Sequence, residues 1–403
     1  MTLVTLHEFG HFLAAKRNGV RVLEFGIGFP PRAIAWVKDE KTGKWTKIPR
    51  SDRSKPQKSL IFSLNWLPIG GFCQMDGESA EDKRPKTFGA ANFWQKTKIL
   101  FAGVLMNWLA SFVILTILAW TGMPVALPNQ FTIENDTKTT YGAVSLAEII
   151  ADSPAETAGL KKDDIVLALN GEELHTATDV INYGKAHAGE SVVYSVERAN
   201  STCDNFPASF NCQPTDHNSV QLTIPVQLGS LDAPYQLGAS ISAGQTRNYS
   251  TWSAPLVGAG LTVQFTGETF KGLGQLVVNL CSGLIDQLSP NAGIREEGQA
   301  ALSAAGDSVS GPVGIIGNLF PSIVASGPTT VAFFAAIISV SLACMNVLPI
   351  PALDGGRWLL MAIFKLLKKP LKKETEEKIV SRAFIILLFL IVIITVLDIK
   401  RFF

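Results

Sequence analysis

Long apolar runs without a charged residue are the feature that most constrains how this chain can fold. Ile99–Met123 holds no charge in 25 residues, and Val331–Pro349 is also uncharged. A third run, Ala383–Leu397, is 15 residues long and rich in β-branched side chains. About 20 apolar residues cross the hydrocarbon core of a bilayer, and runs of this length disfavour the alternative of buried helices in a large soluble core. We therefore predict transmembrane helices over 99–123, 329–356 and 383–398.

The first segment, 1–20, is apolar around two histidines and one glutamate. It has neither a basic n-region nor a small-residue cleavage site, so it is not a signal peptide. Only six residues precede His7. We expect this segment to be the second half of a first transmembrane helix that is truncated at its N-terminus. The predicted fold class is a multi-spanning α-helical membrane protein with about four transmembrane helices.

Basic residues are distributed unevenly along the chain. Lys16–Lys98 carries 17 Lys and Arg, and Arg357–Arg382 carries 8 in 26 residues, whereas Thr121–Thr330 carries 8 in 210 residues. Because cytoplasmic loops of membrane proteins carry an excess of Lys and Arg, we predict that 21–98 and the loop 357–382 are cytoplasmic. The segment between them should then be extracytoplasmic, in a multi-pass inner (plasma) membrane protein.

The overall composition excludes several classes of function. Charged residues make up 17% of the chain and the formal net charge is +1. A disordered chain needs low hydrophobicity and high net charge, and a nucleic-acid binder needs a positive field. Five cysteines in 403 residues do not make a disulfide scaffold. We expect the lipid bilayer, and no nucleic acid, among the partners.

The segment 131–229 has the pattern of a small α+β domain. Strand-like runs such as Ile165–Leu169 alternate with short helical stretches, and Asn170-Gly171 is a hairpin-turn signal. Leu160–Gly171 resembles the PDZ family pattern, in which a turn after Gly-Leu leads into a strand that ends at Asn-Gly. A PDZ-like domain would bind an extended peptide as an added strand. An uninvolved β-domain of similar pattern is the alternative.

Two further features of the extracytoplasmic segment are left open by the sequence. Cys203 and Cys212 lie in a polar insert of the predicted domain, where a disulfide and two free thiols are equally compatible with the sequence. The segment 254–288 is apolar with sparse charge, which suits an amphipathic helix on the membrane surface. A soluble packing helix is the alternative. On the other side of the membrane, the segment 21–98 alternates like strands between glycine-rich turns and predicts β-hairpins at the cytoplasmic face.

The residues His7, Glu8 and His11 form an H-E-x-x-H motif within the first apolar segment. On a helix, positions i and i+4 share one face, so both imidazoles can reach one zinc ion with Glu8 beside them as general base. Two histidines with ordinary hydrogen bonds are the alternative. Polar groups inside an apolar span are costly unless they line a cavity and have a function, which favours the metal site.

A catalytic zinc ion usually has a third protein ligand, and Asp354 is the candidate. It is the one acidic residue between Asp307 and Glu374, and it follows Pro349 and Pro351, which stop a helix. Taken alone, this segment is a simple helix exit. The predicted topology, however, brings the end of the first span and the end of the span before Asp354 to the same cytoplasmic side. Both motifs should therefore lie at similar membrane depth.

The paired motifs resemble those of the site-2 protease family of membrane-embedded zinc metalloproteases. HEFGH and NVLPIPALDGG match its H-E-x-x-H and N-x-x-P-x-P-x-L-D-G motifs, and the PDZ-like insert resembles the bacterial RseP-type branch. The resemblance covers nearly the whole chain. Further matches are Leu67–Phe72, Phe101–Asn107 and Ser310–Ile315.

The resemblance implies a role for each matching residue. His7, His11 and Asp354 would bind zinc, and Glu8 would activate water. Substrate positioning is implied for Asn346, Gly70 and Gly71.

The resemblance also implies a reaction and its substrates. The reaction would be hydrolysis of peptide bonds in or near transmembrane segments, as in regulated intramembrane proteolysis of an anti-sigma factor or a signal-peptide remnant. The substrates would be single-span membrane proteins already shortened by an upstream site-1-type protease, with the PDZ-like domain as a size filter. The active site would lie near the cytoplasmic side.

Two other functions compete with this interpretation. A CAAX-type membrane protease generally takes a downstream glutamate on a helix as third ligand, whereas the candidate here is an aspartate in a Leu-Asp-Gly-Gly turn. A catalytically silent adaptor that presents its PDZ-like domain would have no need of Glu8 as a base.

Overall fold

The computed structural model describes residues 1–38, 42–48, 59–78, 82–215, 218–307 and 314–402. The chain forms two compact units. One comprises Met1–Thr121 together with Trp252–Phe403, and the other comprises Gly122–Thr251.

The first unit begins with a helix, a sheet and a second helix. Helix α1 spans Thr2–Arg17, and helix α2 spans Phe93–Thr121. Between them, strands β1 (Val22–Lys38), β2 (Trp45–Lys47) and β3 (Ile61–Met75) form a sheet in the order β2-β1-β3. The sheet lies within the segment for which the sequence predicts β-hairpins.

The pairing of β1 with β3 places one half of β3 beside α1. Residues 24–27 of β1 pair with both 61–64 and 71–74, the two halves of β3. Phe12 of α1 packs against Phe25 of β1 and Phe62 of β3, with ring centroids 5.5–5.6 Å apart. Burial of each such ring contributes about 1.5–3 kcal/mol, so this aromatic cluster fixes helix α1 on the sheet.

Helices α1 and α2 approach each other closely through glycines. A Cβ on Gly10 would lie 2.3 Å from the carbonyl oxygen of Ala102, and a Cβ on Gly103 would lie 2.6 Å from His11 Nε2. Small residues at such positions let two helices in an apolar environment pack backbone to backbone. This close packing brings the histidines of α1 against the face of α2.

The second unit is built around a mixed helix–sheet domain. Its strands are β4 (Met123–Pro124), β5 (Lys138–Thr140), β6 (Val144–Ile149), β7 (Ile165–Leu169), β8 (Glu172–Glu173), β9 (Ser191–Ala199), β10 (Gln213–Pro214), β11 (Ser219–Gln227), β12 (Ala239–Ala243) and β13 (Arg247–Tyr249). Its helices are α3 (Pro154–Ala158) and α4 (Ala177–Ala186). One sheet has the order β10-β11-β9-β7-β6-β12 with β8 on β7, and a small sheet has the order β4-β13-β5.

Local sequence signals account for the helices and turns of this unit. Ser153 accepts a hydrogen bond from the N–H of Glu156 and caps α3, and Thr176 and Asp179 form a capping box at α4. Asn170 and Gly171 both have positive φ between β7 and β8, as a two-residue hairpin turn requires.

Two features of this unit go beyond what the sequence could decide. Cys203 and Cys212 form a disulfide, which settles the question left open above. The sheet also continues past the predicted boundary at residue 229, because β12 pairs with β6. Strand β12 was missed because Ala239–Ala243 is short and only weakly apolar, and its partner lies almost 100 residues earlier.

The first unit resumes with a series of helices. They are α5 (Ala254–Gln287), α6 (Ala292–Asp307), a π-helical turn (Ile315–Leu319), α7 (Phe320–Ala325), α8 (Pro328–Val347), α9 (Asp354–Leu366) and α10 (Lys373–Phe402). The predicted motif Ser310–Ile315 falls largely outside the described residues, which resume at 314.

Three of the described helices are long and apolar enough to cross a membrane. They are α2, α8 and the part Lys373–Val396 of α10. The predicted third span, 329–356, differs in detail because α8 ends at Val347 and a new helix, α9, begins at Asp354. The proline residues at 349 and 351 interrupt the helix. Helix α9 also occupies the first part of the predicted loop 357–382.

The first half of α5 packs on the apolar helices. Gly258 lies against Thr116 of α2, and the ring of Phe265 lies 5.7 Å from that of Phe333 in α8. The segment predicted to lie on the membrane surface therefore has one half that contacts two of the candidate spans. Its location relative to the bilayer stays a prediction.

Candidate metal centre

The side chains of His7, His11 and Asp354 converge at one point. His7 Nε2 lies 3.0 Å from Asp354 Oδ2, His11 Nε2 lies 3.3 Å from the same oxygen, and the two Nε2 atoms are 3.1 Å apart. Both histidines are buried, and Asp354 is half-buried. The structure thus brings together the three residues that the sequence predicts as metal ligands.

The spacing of these three atoms fits a tetrahedral metal ion. Ligand atoms about 2.0–2.1 Å from zinc, at tetrahedral angles, lie roughly 3.3 Å from one another. The observed distances of 3.0–3.3 Å come close to that value. Two imidazoles and one carboxylate are also a donor set that zinc favours, and three protein ligands leave a fourth position open for chemistry.

A backbone carbonyl group of α2 orients the His11 side chain of α1. His11 Nδ1 lies 2.8 Å from the carbonyl oxygen of Ile99. A carbonyl can only accept, so Nδ1 carries the proton and Nε2 is left with its lone pair. A histidine that donates its other N–H to a backbone carbonyl is the usual arrangement for a metal ligand.

A buried amide lies beside His7. Asn107 Nδ2 of α2 is 3.4 Å from His7 Nδ1, and Asn107 is fully buried. Its Oδ1 has no hydrogen-bond partner among the described residues. A buried polar atom left unpaired costs about 1–3 kcal/mol. The sequence predicts no role for Asn107, although an asparagine one turn after Gly103 in an uncharged run is a signal for one.

The turn before α9 delivers Asp354 to the site. Pro349 and Pro351 have no backbone N–H to donate within a helix. The chain then folds back so tightly that glycines are needed at positions 355 and 356. A Cβ on Gly355 would lie 2.1 Å from the carbonyl oxygen of Val347, and one on Gly356 would lie 2.0 Å from that of Ile350. The Leu-Asp-Gly-Gly sequence is therefore a packing requirement of this turn.

Arg357 anchors the start of α9 on its outer side. Its guanidinium donates to the carbonyl oxygen of Glu78 at 2.5 Å and to Glu376 Oε1 at 3.3 Å. Glu376 is itself buried. These contacts hold the first turn of α9, which carries Asp354, against the end of the sheet and the start of α10.

Glu8 follows the first histidine on α1 and is half-buried. Its carboxyl group interacts electrostatically with the backbone of Cys73 in β3. Burial, together with the charges of Glu8 and Glu78, raises the pKa of the Cys73 thiol. Cys73 is therefore a neutral core residue and offers no thiolate to a metal.

The glycines and the asparagine that are predicted to position a substrate lie in different environments. Gly70 has φ of +75°, and Gly71 lies against Thr5 of α1, so this half of β3 runs beside the helix that carries the histidines. Asn346 instead donates to the carbonyl oxygen of Leu342 in its own helix at 2.9 Å. The structure brings the glycines beside α1 and leaves the Asn346 amide bonded within α8.

A cavity of about 910 Å³ reaches the site from one side. Asp354 lies on its wall together with Met75, Leu353 and Arg357. Six of the thirteen other lining residues are charged, namely Glu78, Asp82, Arg84, Lys373, Glu376 and Glu377. Water and polar chain segments can therefore approach the ligand set through this opening.

A helix-borne H-E-x-x-H motif, completed by an aspartate and set among apolar helices, defines a membrane-integral zinc metallopeptidase. The chain belongs to peptidase family M50, the site-2 protease family, whose model matches residues 1–391. It is an intramembrane zinc metalloprotease, and its cofactor is zinc.

Two bacterial proteins are similar to the chain over nearly their whole lengths. A zinc metalloprotease RasP of Geobacillus kaustophilus is 25% identical over 481 residues, covering 100% of this chain and 96% of that protein. A regulator of sigma-W protease RasP of Bacillus subtilis is 24% identical over 483 residues, with 100% and 96% covered.

Proposed function

We propose that His7, His11 and Asp354 bind the catalytic zinc ion and that Glu8 is the general base. The triangle of 3.0–3.3 Å between the three ligand atoms carries this proposal. When bound, zinc supplies Lewis-acid chemistry, since it lowers the pKa of water and polarises a carbonyl group. Glu8 takes the proton from the attacking water and passes it to the leaving nitrogen of the cleaved peptide bond.

Substrate binding is proposed at the half of β3 that lies beside α1. An extended segment of substrate would add to this strand near Gly70 and Gly71, because backbone hydrogen bonding to a strand requires no particular side chains. A substrate transmembrane helix must unwind before attack, since its amide groups are otherwise bonded within the helix. Asn346 would turn from Leu342 to hold the unwound backbone.

The topology proposed has four spans, with α1 as the first. The basic segments 21–98 and 357–382 lie on the cytoplasmic side, and the unit Gly122–Thr251 lies outside. The disulfide between Cys203 and Cys212 supports this orientation, because disulfides persist in oxidising compartments. The active site then lies near the cytoplasmic side of an inner membrane.

The unit Gly122–Thr251 is proposed to act as a PDZ-like filter. Its edge strand β12 lies at the end of the sheet with α4 packed near it, an arrangement that can accept a peptide as an added strand. The substrates would be single-span membrane proteins, such as an anti-sigma factor or a signal-peptide remnant, first shortened by a site-1-type protease. The sigma-W regulator name of the Bacillus relative supports a regulatory substrate.

Cleavage of a tagged single-span substrate by purified wild type and Glu8→Gln, with zinc per chain measured in both, tests the catalytic proposal. Cleavage by wild type alone, with about one zinc in each protein, supports it. Zinc in both with cleavage by neither favours the silent adaptor. Absence of zinc from both would overturn the metal site.

The filter is tested by replacing the unit Gly122–Thr251 with a short linker. Because Met123 pairs with Asn248, the two ends of the unit are adjacent and can be joined. The shortened enzyme should cleave substrates with large extracytoplasmic parts that the wild type rejects. Loss of all turnover, with zinc retained, would contradict the filter.

A further inference from the structure

The buried carboxamide of Asn107 is a polar group beside the ligand set to which the proposed function gives no role. Its Nδ2 lies 3.4 Å from His7 Nδ1. Its Oδ1, inside the same buried side chain, has no hydrogen-bond partner among the described residues. One end of the amide thus contacts a proposed ligand, and the other end is unpaired.

The positions of the protons on the two histidines determine whether this amide must donate or accept a hydrogen bond. A neutral imidazole carries one proton, so the nitrogen that binds a metal is the one without it. For His11 the proton lies on Nδ1, which donates to the carbonyl oxygen of Ile99. For His7 to offer Nε2 as well, Nδ1 must carry the proton, and Asn107 is the group that faces this atom. An amide nitrogen cannot accept a hydrogen bond from this N–H group, whereas an amide oxygen can.

A half-turn of the carboxamide exchanges its oxygen and nitrogen, which have nearly the same size. We propose that Asn107 is a positioning residue of the zinc site. Its Oδ1 accepts a hydrogen bond from His7 Nδ1 and thereby presents Nε2 to the metal. This inference rests on the proposed assignment of His7 as a ligand.

The other orientation of the amide suits the protein without its metal. Asn107 Nδ2 then donates to His7 Nδ1, and the proton on His7 Nε2 is donated to Asp354 Oδ2 at 3.0 Å. The amide is therefore a two-position group that follows the location of the His7 proton. An aliphatic side chain of the same volume could fill the space and could serve neither state.

The backbone of Asn107 is held in place from the opposite side. Ser339 of α8 donates from Oγ to the Asn107 carbonyl oxygen at 2.9 Å. One turn earlier, Gly103 lets α1 approach. Helix α8, which leads to Asp354, and helix α1, which carries His7, thus contact adjacent turns of α2.

The experiment compares zinc binding by wild type, Asn107→Leu and Asn107→Asp in the full-length protein. Asn107→Leu keeps the number and branching of the side-chain heavy atoms and removes both polar atoms, and Asn107→Asp keeps an acceptor and removes the donor. Ser111→Ala is the matched control, since Ser111 is one turn along the same helix, fully buried and without a partner for Oγ among the described residues. Zinc affinity is measured by competition with a chromophoric chelator, and the absorption spectrum of the Co²⁺-substituted protein reports the ligand geometry.

We expect Asn107→Leu to bind zinc about 10–100-fold more weakly than wild type, as losses of groups that orient metal ligands do. Its Co²⁺ spectrum should change, whereas Asn107→Asp and Ser111→Ala should keep the wild-type spectrum and bind zinc at least as tightly, within the same order of magnitude. If Asn107→Leu does not fold, Asn107→Ala replaces it in the experiment, with the same expected loss of zinc affinity.

Three results would overturn the inference. The first is unchanged zinc affinity and Co²⁺ spectrum in folded Asn107→Leu or Asn107→Ala. The second is a loss of zinc affinity in Asn107→Asp as large as that in Asn107→Leu, and the third is an equal loss in Ser111→Ala. Failure of the wild type itself to bind zinc would instead overturn the metal site, so the two failures are distinguishable.

Discussion

His7 Nε2 lies 3.0 Å from Asp354 Oδ2, although 347 positions separate the two residues in the sequence. The contact joins the first helix of the chain to the first residue of α9. The predictions about catalysis depend on this contact, because the proposed zinc site takes ligands from both residues and a catalytic zinc ion usually has three protein ligands.

The Glu8→Gln change should abolish hydrolysis and leave zinc binding intact. The amide keeps the shape of the side chain but cannot take a proton, and loss of a general base typically costs 10²–10⁴-fold in rate. Initial cleavage rates and zinc content are measured side by side. Glu148→Gln, at an exposed position of the second unit, is the control and should retain both. A Glu8→Gln enzyme with wild-type rates would remove Glu8 from the mechanism.

The Asp354→Asn change should weaken zinc binding strongly. It replaces the charged oxygen of a proposed ligand by a neutral amide, and a charged oxygen is the stronger partner for a divalent cation. Chelator competition should show a loss of at least about tenfold. Asp152→Asn, exposed and far along the chain, is the matched control. Equal zinc affinity in the two variants would exclude Asp354 as a ligand.

The Gly103→Ala change should disrupt the ligand set by steric means. The added Cβ would lie 2.6 Å from His11 Nε2 and 2.7 Å from His7 Nε2. Overpacking of this kind costs about 1–3 kcal/mol, and zinc stoichiometry should fall with stability. Gly267→Ala in α5 is the control, because nothing lies within 4 Å of its added Cβ. That variant should be as stable as wild type or up to about 1 kcal/mol more stable. Retention of one zinc per chain in Gly103→Ala would show that α1 and α2 can separate without loss of the site.

Replacing Cys203 and Cys212 by serine should destabilise the second unit. The loop between them spans 9 positions, for which chain-entropy arguments give about 2–3 kcal/mol. Hydrogen exchange of the strands β9 and β11 measures the loss. Cys281→Ser is the control, since Cys281 is exposed and free. Alkylation of both cysteines in the unreduced, folded protein would contradict the disulfide.

The capping box of α4 should make this helix sensitive to acid. Hydrogen bonds from Thr176 lower the pKa of Asp179. A lowered folded-state pKa stabilises the helix above the ordinary Asp value, and this contribution disappears as the pH falls through the lowered pKa. Hydrogen exchange of α4 amides should therefore speed up relative to β9 below about pH 4, and Asp179→Asn should remove that dependence. Asp204→Asn, elsewhere in the unit, should preserve it.

Much of the candidate site was accessible from sequence because its parts are local. The i,i+4 spacing of His7 and His11 places them on one helix face whatever surrounds them. The prolines and glycines around Asp354 predict a break between two helices from backbone chemistry alone. Uncharged runs likewise predict the apolar helices α2 and α8.

The tertiary structure decided what depends on contacts between distant segments. Pairing of β12 with β6 extends the second unit past residue 229, and the disulfide joins two cysteines for which the sequence left the pairing open. The environment of Asn107 depends on α1, α2 and α8 together. Sequence periodicity reports which face of an element is apolar. It does not report which distant side chain meets that face, and hydrogen-bond partners in a buried site are set by this packing.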